Sequence, residues 1–295
     1  MNELEIIETA IGILGAPPPP EGPGDDCAVI DIGADGLLLL AVDQLIANVH
    51  YEEKSTSPAD IAAKLLKRNL SDIAAMGGTP KHAVLAMALA GTGKKRPWIE
   101  EFFQSLASVA KRYGVEIAGG DVAANPGGND VFSLTITGLA DRDKVTQRSA
   151  AEHGDALVAT GTFGRSFPTG HHISFEPRLR EAAFLADGFA KAMIDVSDGL
   201  LIDSKRMASA SELELELDPS AVPRRDGAST EEALGDGEDY EILAAVPRNK
   251  LRKLMDQWPF DTPLTPIGGF HAHGKKPRKR GGHPPAPKGF VHFGQ

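Results

Sequence analysis

Ser57-Pro-Ala-Asp-Ile-Ala-Ala-Lys-Leu-Leu-Lys-Arg-Asn-Leu-Ser-Asp-Ile-Ala-Ala-Met-Gly-Gly78 is the stretch on which the fold turns. Ser57-Pro58-Ala59-Asp60 opens a helix, with Pro58 tolerated in the first turn, and Gly77-Gly78 closes it after Met76. The apolar face runs through Ile61, Leu65 and Met76, and at about 100° per residue Asp72 falls within roughly 20° of Ile61 and of Leu65. A carboxylate is therefore aimed at the core. Ionised and unpaired, it is costly there, so it calls for a cation, a neighbouring basic side chain or backbone donors.

Working outward, strand and helix patterns alternate. Before this helix come a helix over 4–14, the loop Glu21-Gly-Pro-Gly-Asp-Asp26 and strands over 27–32 and 37–46. After it come a strand over 83–89, a helix over 97–113, a short strand ending at 118 and a strand over 131–139. The polar segment 141–155 reads as a linker. A second module follows, with strands over 156–160, 192–194, 213–217, 240–246 and 265–270 and helices over 177–186, 200–211 and 249–257. The expected class is mixed α+β and α/β, in two domains, 1–145 and 146–295.

The 295 residues suit two domains, and a formal charge of -10, from 31 Lys plus Arg against 41 Asp plus Glu, argues against a nucleic-acid backbone binder. The single cysteine, Cys27, excludes a disulfide framework and a Cys-x-x-Cys site. Acidic residues precede the first apolar stretch and no run of 18 apolar residues occurs, so neither a signal peptide nor a membrane span is expected, and a cytoplasmic setting is. Pro17 to Pro20 reads as an extended loop. The basic run Lys275-Lys-Pro-Arg-Lys-Arg280 reads as a solvated loop rather than a site for an anionic partner. Gly91-Thr-Gly-Lys-Lys95 lacks P-loop spacing, and dinucleotide, zincin and hydrolase signatures are missing.

Acidic residues recur instead in glycine-flanked segments read as loops: Gly24-Asp25-Asp26, Gly119-Gly120-Asp121, Asp195-Val-Ser-Asp198-Gly199 and Gly235-Asp-Gly-Glu-Asp-Tyr-Glu241. Singly, each is ordinary turn chemistry, and Asp198 could simply cap the helix starting at Leu200. Asp43 interrupts the apolar strand Leu38-Leu-Leu-Ala-Val-Asp-Gln-Leu-Ile46, which a sheet edge would excuse. Together these carboxylates form a hard-oxygen environment suited to several Mg²⁺ ions and to nucleotide-dependent phosphoryl transfer.

The ordered blocks Gly24-Asp-Asp-Cys-Ala28, Asp43 with His50, Asn69-Leu-Ser-Asp-Ile-Ala-Ala-Met-Gly77, Gly119-Gly-Asp121, Arg148-Ser149, Asp195-Val-Ser-Asp-Gly199 and Gly237-Glu-Asp-Tyr-Glu241 extend over most of the chain. Their order resembles the thiamine-monophosphate kinase family, within the aminoimidazole-ribonucleotide-synthetase-like superfamily. The resemblance implies that superfamily's two-domain fold, with N-terminal strands forming a barrel shared across a homodimer. It implies phosphorylation of thiamine monophosphate to thiamine diphosphate with ATP and Mg²⁺. By position it puts metals on Asp26, Asp43, Asp72, Asp121, Asp195 and Asp198, and ATP on Tyr113, Gly120, Asp121, Arg148 and Ser197. His50, Glu238 and Phe290 would meet the acceptor, and Arg148 would stabilise charge.

That chemistry needs no protein nucleophile. A phosphate monoester is already anionic near neutral pH, so the task is positioning and charge neutralisation in a direct in-line transfer. Structural alternatives stay open: Arg148 as a surface linker residue, His50 as a strand-end histidine, Tyr113 as packing and Phe290 as a hydrophobic anchor.

Some features depart from the family's pattern. Ala41-Val42 stands where hydroxyl residues usually precede the strand aspartate, and Val122 replaces a Thr. Gly161-Thr-Phe-Gly164 leads into Arg165-Ser-Phe-Pro-Thr-Gly-His-His-Ile-Ser-Phe-Glu-Pro177 by a path to Asp195 that looks trimmed by a helix, with His171 and His172 diverging if on a strand. Other readings are a second ATP-dependent enzyme of the superfamily, of the selenophosphate-synthetase or purine-pathway type, and a noncatalytic nucleotide- or thiamine-phosphate-binding protein.

Overall fold

The computed structural model describes residues 3–17, 19, 21–91 and 94–274. Phe290, the basic run 275–280, Pro18 and Pro20 lie outside the described residues.

The 57–78 stretch forms helix α2 (Pro58–Ala75), as its sequence requires; α1 (Glu3–Leu14) precedes it. Ser57 Oγ accepts the Asp60 N–H at 3.0 Å, satisfying one of the open donors of the first turn. Gly77 turns the chain at φ 67°, where an added Cβ would lie 2.8 Å from Ala186 Cβ and 2.9 Å from Lys144 O, so glycine is needed both for conformation and for space. Almost every face of α2 is buried. Ile61, Leu65, Leu66, Leu70 and Ile73 enter the core of the first half, while Ala74 and Ala75 pack into a separate cluster with Met193, Ile242 and Ala244.

Five strands form the first sheet: β1 (Ala28–Asp31), β2 (Leu37–Ile46), β3 (Thr79–Ala90), β4 (Glu116–Asn125) and β5 (Val131–Ala140), in the order β1-β2-β5-β3-β4. All neighbours are antiparallel except β3 and β4. One face carries Leu39, Leu45, Leu85, Met87, Phe132, Leu134 and Ile136 into the core against α2 and α3 (Arg96–Tyr113). The other face is open, with Val42 62% and Val84 46% exposed.

The second half holds β6 (Ala156–Thr160), α4 (His171–Ser174), α5 (Leu179–Ala186), β7 (Ala192–Asp195), α6 (Leu200–Ala210), β8 (Glu214–Leu217), α7 (Thr230–Gly235), β9 (Ile242–Val246), α8 (Arg248–Gln257) and β10 (Leu264–His271). Its five strands run antiparallel in the order β7-β9-β6-β10-β8. β6 and β9 are buried along their whole length, which is why they read as unbroken apolar runs.

The structure corrects three expectations. Gly119-Gly120-Asp121 is not a loop: β4 continues through it to Asn125, paired in parallel with β3. A Cβ on Gly120 would lie 2.0 Å from Leu85 O, so glycine permits that close approach. His171 and His172 open the short helix α4 rather than lying on a strand. Asp198 does not cap α6; Gly199 occupies that position, and Asp203 Oδ2 accepts the N–H groups of Asp198 and Gly199 at 3.0 and 3.1 Å. The capping box of Ser229 and Glu232 that starts α7 was not anticipated.

Candidate active site

Three elements converge where the two halves meet. Asp26 comes from the loop before β1, Asp72 from the last turns of α2 and Asp195 from the end of β7, and one oxygen of each lies within 4.8 Å of the others. Ser71 Oγ donates to Asp195 Oδ2 at 2.6 Å. Arg148 donates through Nη2 to Asp26 Oδ1 at 2.6 Å and through its backbone N–H to Asp25 Oδ1 at 2.7 Å. The second oxygens of Asp25 and Asp26 are buried without a hydrogen-bond partner among the described residues. Asp72 makes no ion pair among the described residues; Arg68, one turn back on α2, is the cation that acts on it.

Burial and mutual repulsion load this centre with electrostatic cost. Burial lifts the Asp26 carboxyl to about 6 against the pull of Arg148. Asp72 and Asp195 are raised well above the usual carboxylate range by burial first and by neighbouring carboxylates next. Cys27 is buried beside them, and burial and the same negative charges keep its thiol protonated. Unpaired carboxylate oxygens, with no nitrogen or sulfur donor among them, suit a hard divalent cation such as Mg²⁺. Asp26, Asp72 and Asp195 could hold it.

A second cluster adjoins the first. Arg68 Nη2 donates to Asp43 Oδ1 at 3.1 Å and Nη1 to Gln44 O at 2.9 Å, with Glu238 Oε1 4.0 Å from Nη1. Lys64 Nζ donates to Glu238 Oε2 at 2.6 Å and to the carbonyl of His50. Burial lowers the Lys64 ammonium to about 8 despite the adjoining Glu238. His50 Nδ1 accepts the Ile46 N–H at 3.0 Å. Glu238 sits at φ 62° and Tyr240 at φ 51°, both in the left-handed region. That loop is fixed by backbone bonds from Glu238 N–H to Ser197 O and from Tyr240 N–H to Val196 O. The Tyr240 hydroxyl is buried without a partner among the described residues, within electrostatic reach of Arg68, Glu238, Asp43 and Asp195.

The structure thus gathers Asp26, Asp72, Asp195 and Arg148 at one centre and Asp43, His50 and Glu238 beside it. Asp43 lies where β2 has run past its pairing with β1, which explains a charge on an otherwise apolar strand. Ser197 and Asp198 occupy the loop after β7, Asp198 bound to Arg206 rather than to the three carboxylates. Tyr113 donates its hydroxyl to Glu176 at 2.5 Å. Gly120 and Asp121 are exposed on the edge strand; Asp121 pairs with Ala86 of the open face, whereas Asp43 pairs with Leu134 of the packed face. Within one chain, Asp121 does not join the carboxylate centre.

Family profiles match both halves: "AIR synthase related protein, N-terminal domain" over residues 24–140 and "AIR synthase related protein, C-terminal domain" over 148–268. A thiamine-monophosphate kinase of Rhodopirellula baltica is 35% identical over 84% of this chain and 82% of its own length. The chain belongs to the thiamine-monophosphate kinase family. Another member, from Salmonella typhimurium, is 33% identical over 85% of this chain and 84% of its own. Among solved structures, AaThiL complexed with AMPPCP and TMP superposes with a TM-score of 0.84 at 25% identity, covering 99% of this chain and 97% of that one. The kinase from Stenotrophomonas maltophilia K279a gives 0.72 at 28% identity, covering 92% and 94%.

Membership in the family does not by itself point to the cations found here. Lys64, Arg68 and Asp72 are spaced four apart on α2 and share one stripe, and Lys67 and Ser71 share the next. That spacing groups them on the helix, but it would look the same on a solvated face. Lys67 Nζ donates to the carbonyls of Ile173 and Phe175, both at 2.7 Å, tying α2 to the second half. Asp203 and Arg206 carry no comparable mark, because their role depends on how the turn into α6 closes.

Proposed function

We propose that the chain transfers the terminal phosphoryl group of ATP to the phosphate of thiamine monophosphate, giving thiamine diphosphate and ADP, with Mg²⁺. The observation that carries this reading is the convergence of Asp26, Asp72 and Asp195 within 4.8 Å between Arg148 and the Lys64–Arg68–Glu238 cluster. The acceptor is supported by the names of the relatives and by the ligands of AaThiL.

In this reading Asp26, Asp72 and Asp195 would hold Mg²⁺, with Asp43 and Asp198 alongside. Mg²⁺ supplies charge neutralisation for phosphate oxygens. Arg148, already oriented by Asp25 and Asp26, stabilises charge on the transferred group. An acceptor phosphate oxygen attacks the terminal phosphorus of ATP as the bond to the bridging oxygen breaks, and ADP leaves with that electron pair. No side chain becomes phosphorylated. His50 and Glu238 contact the acceptor, joined by Phe290, while Gly120, Asp121 and Ser197 contact ATP; Tyr113 would meet it through its ring, its hydroxyl being bound to Glu176.

Two such chains form the working unit. The open sheet face, its exposed Val42 and Val84, and the outer edge of β4, unpaired among the described residues and with Val122 64% exposed, support a homodimer completed by a shared barrel. We also read residues 1–145 and 146–295 as its two domains, working in the cytoplasm where ATP is available.

The test is to incubate the purified chain with ATP, Mg²⁺ and thiamine monophosphate and to resolve the products by chromatography, with a metal-free control. Metal-dependent thiamine diphosphate and matching ADP are expected. ADP without thiamine diphosphate would redirect the reading to another acceptor; neither product would leave a binding role.

A further inference from the structure

We propose that the stacked pair Phe167 and His172 is a specificity-determining surface for the heteroaromatic, cationic end of the acceptor. The inference rests on the function proposed above and assigns work to the segment that looked trimmed in the sequence.

The groups lie in a definite order. From the carboxylate centre, Arg68 bonds Asp43 at 3.1 Å and faces Glu238 at 4.0 Å, and Lys64 bonds Glu238 at 2.6 Å. Lys64 Nζ is 5.4 Å from the Phe167 ring centroid, and Phe167 stacks on His172 with centroids 4.1 Å apart and planes 17° from parallel. A phosphorylated thiazolium joined to an aminopyrimidine presents the complementary order: dianion, cation, aromatic ring. Carboxylates with bound metal suit the first, Glu238 the second and an aromatic surface the third.

Phe167 is 44% exposed. A single exposed phenyl ring says little, since such rings are common on protein surfaces. What sets this one apart is how firmly it is held to the loop that carries Glu238. Ser166 Oγ donates to Glu238 O at 2.6 Å, and the Arg165 N–H donates to Asp236 Oδ2 at 2.7 Å. The His172 N–H donates to Ser166 O at 3.2 Å, and His171 Nε2 lies 2.9 Å from Asp239 O. Lys67 anchors the following carbonyls of Ile173 and Phe175. The ring is therefore presented in a fixed place relative to Glu238, so little ordering is left to be done on binding. Burial and the nearby Lys64 lower the His172 imidazole, favouring its uncharged form.

Steady-state kinetics of the chain test this. Phe167→Ala is expected to raise the KM for thiamine monophosphate by roughly tenfold, leaving kcat and the KM for ATP within about twofold, because the surface binds ground state and transition state alike. His172→Ala shifts the same KM in the same direction, Phe167→Tyr restores it, and unphosphorylated thiamine weakens as a competitive inhibitor in step. Thermal melts check that each variant is folded. If the unmodified chain forms no thiamine diphosphate, the functional reading fails and this inference with it. If the unmodified chain is active and folded Phe167→Ala keeps its acceptor KM, or moves the ATP KM equally, this inference alone is overturned.

Discussion

Replacing Asp26 by Asn should stabilise the metal-free protein while abolishing its activity. The Asp26 side chain is 6% exposed, and its carboxyl rises from 3.8 to about 6 on folding, chiefly through burial. A raised acid pKa means that the folded state binds the proton more tightly than the unfolded state. The penalty is absent below the unfolded pKa, grows as pH rises between the two values, and is fully present above about 6. Its size is on the order of 3 kcal/mol. Asn imitates the protonated carboxyl and keeps an oxygen for Arg148. Above pH 7 in a chelator, Asp26→Asn should therefore melt roughly 5 °C higher than the unmodified chain, and the two should coincide near pH 4. Adding Mg²⁺ should reverse the order, because only the complete carboxylate set gains stability from the cation. The assay is calorimetry from pH 4 to 9, with and without Mg²⁺. An unmodified chain whose metal-free melting temperature stays level across pH 4–7, or an Asp26→Asn protein that melts lower at pH 8, would refute the electrostatic reasoning.

Asp72→Asn and Asp195→Asn should each lower turnover by about a thousandfold while leaving a folded chain that no longer gains melting temperature from Mg²⁺; near-native turnover in both would remove the proposed metal site. Glu238→Gln leaves Lys64 without its carboxylate partner and Arg68 with Asp43 alone, so the acceptor KM should rise far more than the ATP KM, and equal changes in both would move Glu238 out of the acceptor site. Glu241 is a structural counterpart: it is 1% exposed and accepts from Thr160 Oγ1 at 2.7 Å and from Arg178 at 2.6 and 2.7 Å. Glu241→Ala should cost about 3–5 kcal/mol by stranding Arg178, readable as a lower denaturation midpoint; a loss below about 1 kcal/mol would show that Arg178 finds water instead.

Much of the fold was legible because its elements are locally consistent. β2, 37–46, and β6, 156–160, coincide with their apolar runs, and α2 with its Ser57 cap and glycine stop. Gly119 and Gly120 mask the length of β4 in the sequence because glycine usually marks a break, whereas an edge strand paired on one side tolerates it and here requires it at Gly120. α4 and α7 are too short to show a helical period. The carboxylates at 26, 72 and 195 were legible as charges in apolar or glycine-rich settings, but their meeting depends on how the two halves dock.

The cations at 64, 67 and 68 are not legible as site residues in the sequence. On a surface helix, Lys and Arg at this spacing would be solvated and uninformative. On α2 they are buried because α4, the segment leading into it and the loop carrying Glu238 cover the side of the helix that the first sheet leaves open. Each therefore needs a partner from far along the chain: Lys64 finds Glu238, Lys67 the carbonyls of Ile173 and Phe175, and Arg68 the strand carboxylate Asp43. The same burial that raises Asp72 strengthens these attractions by excluding water. One helix thus presents the Asp72 carboxylate near its end, with the Arg68 guanidinium and the Lys64 ammonium one and two turns earlier. In the proposed function, the polarity from metal to acceptor follows that order of residues along α2.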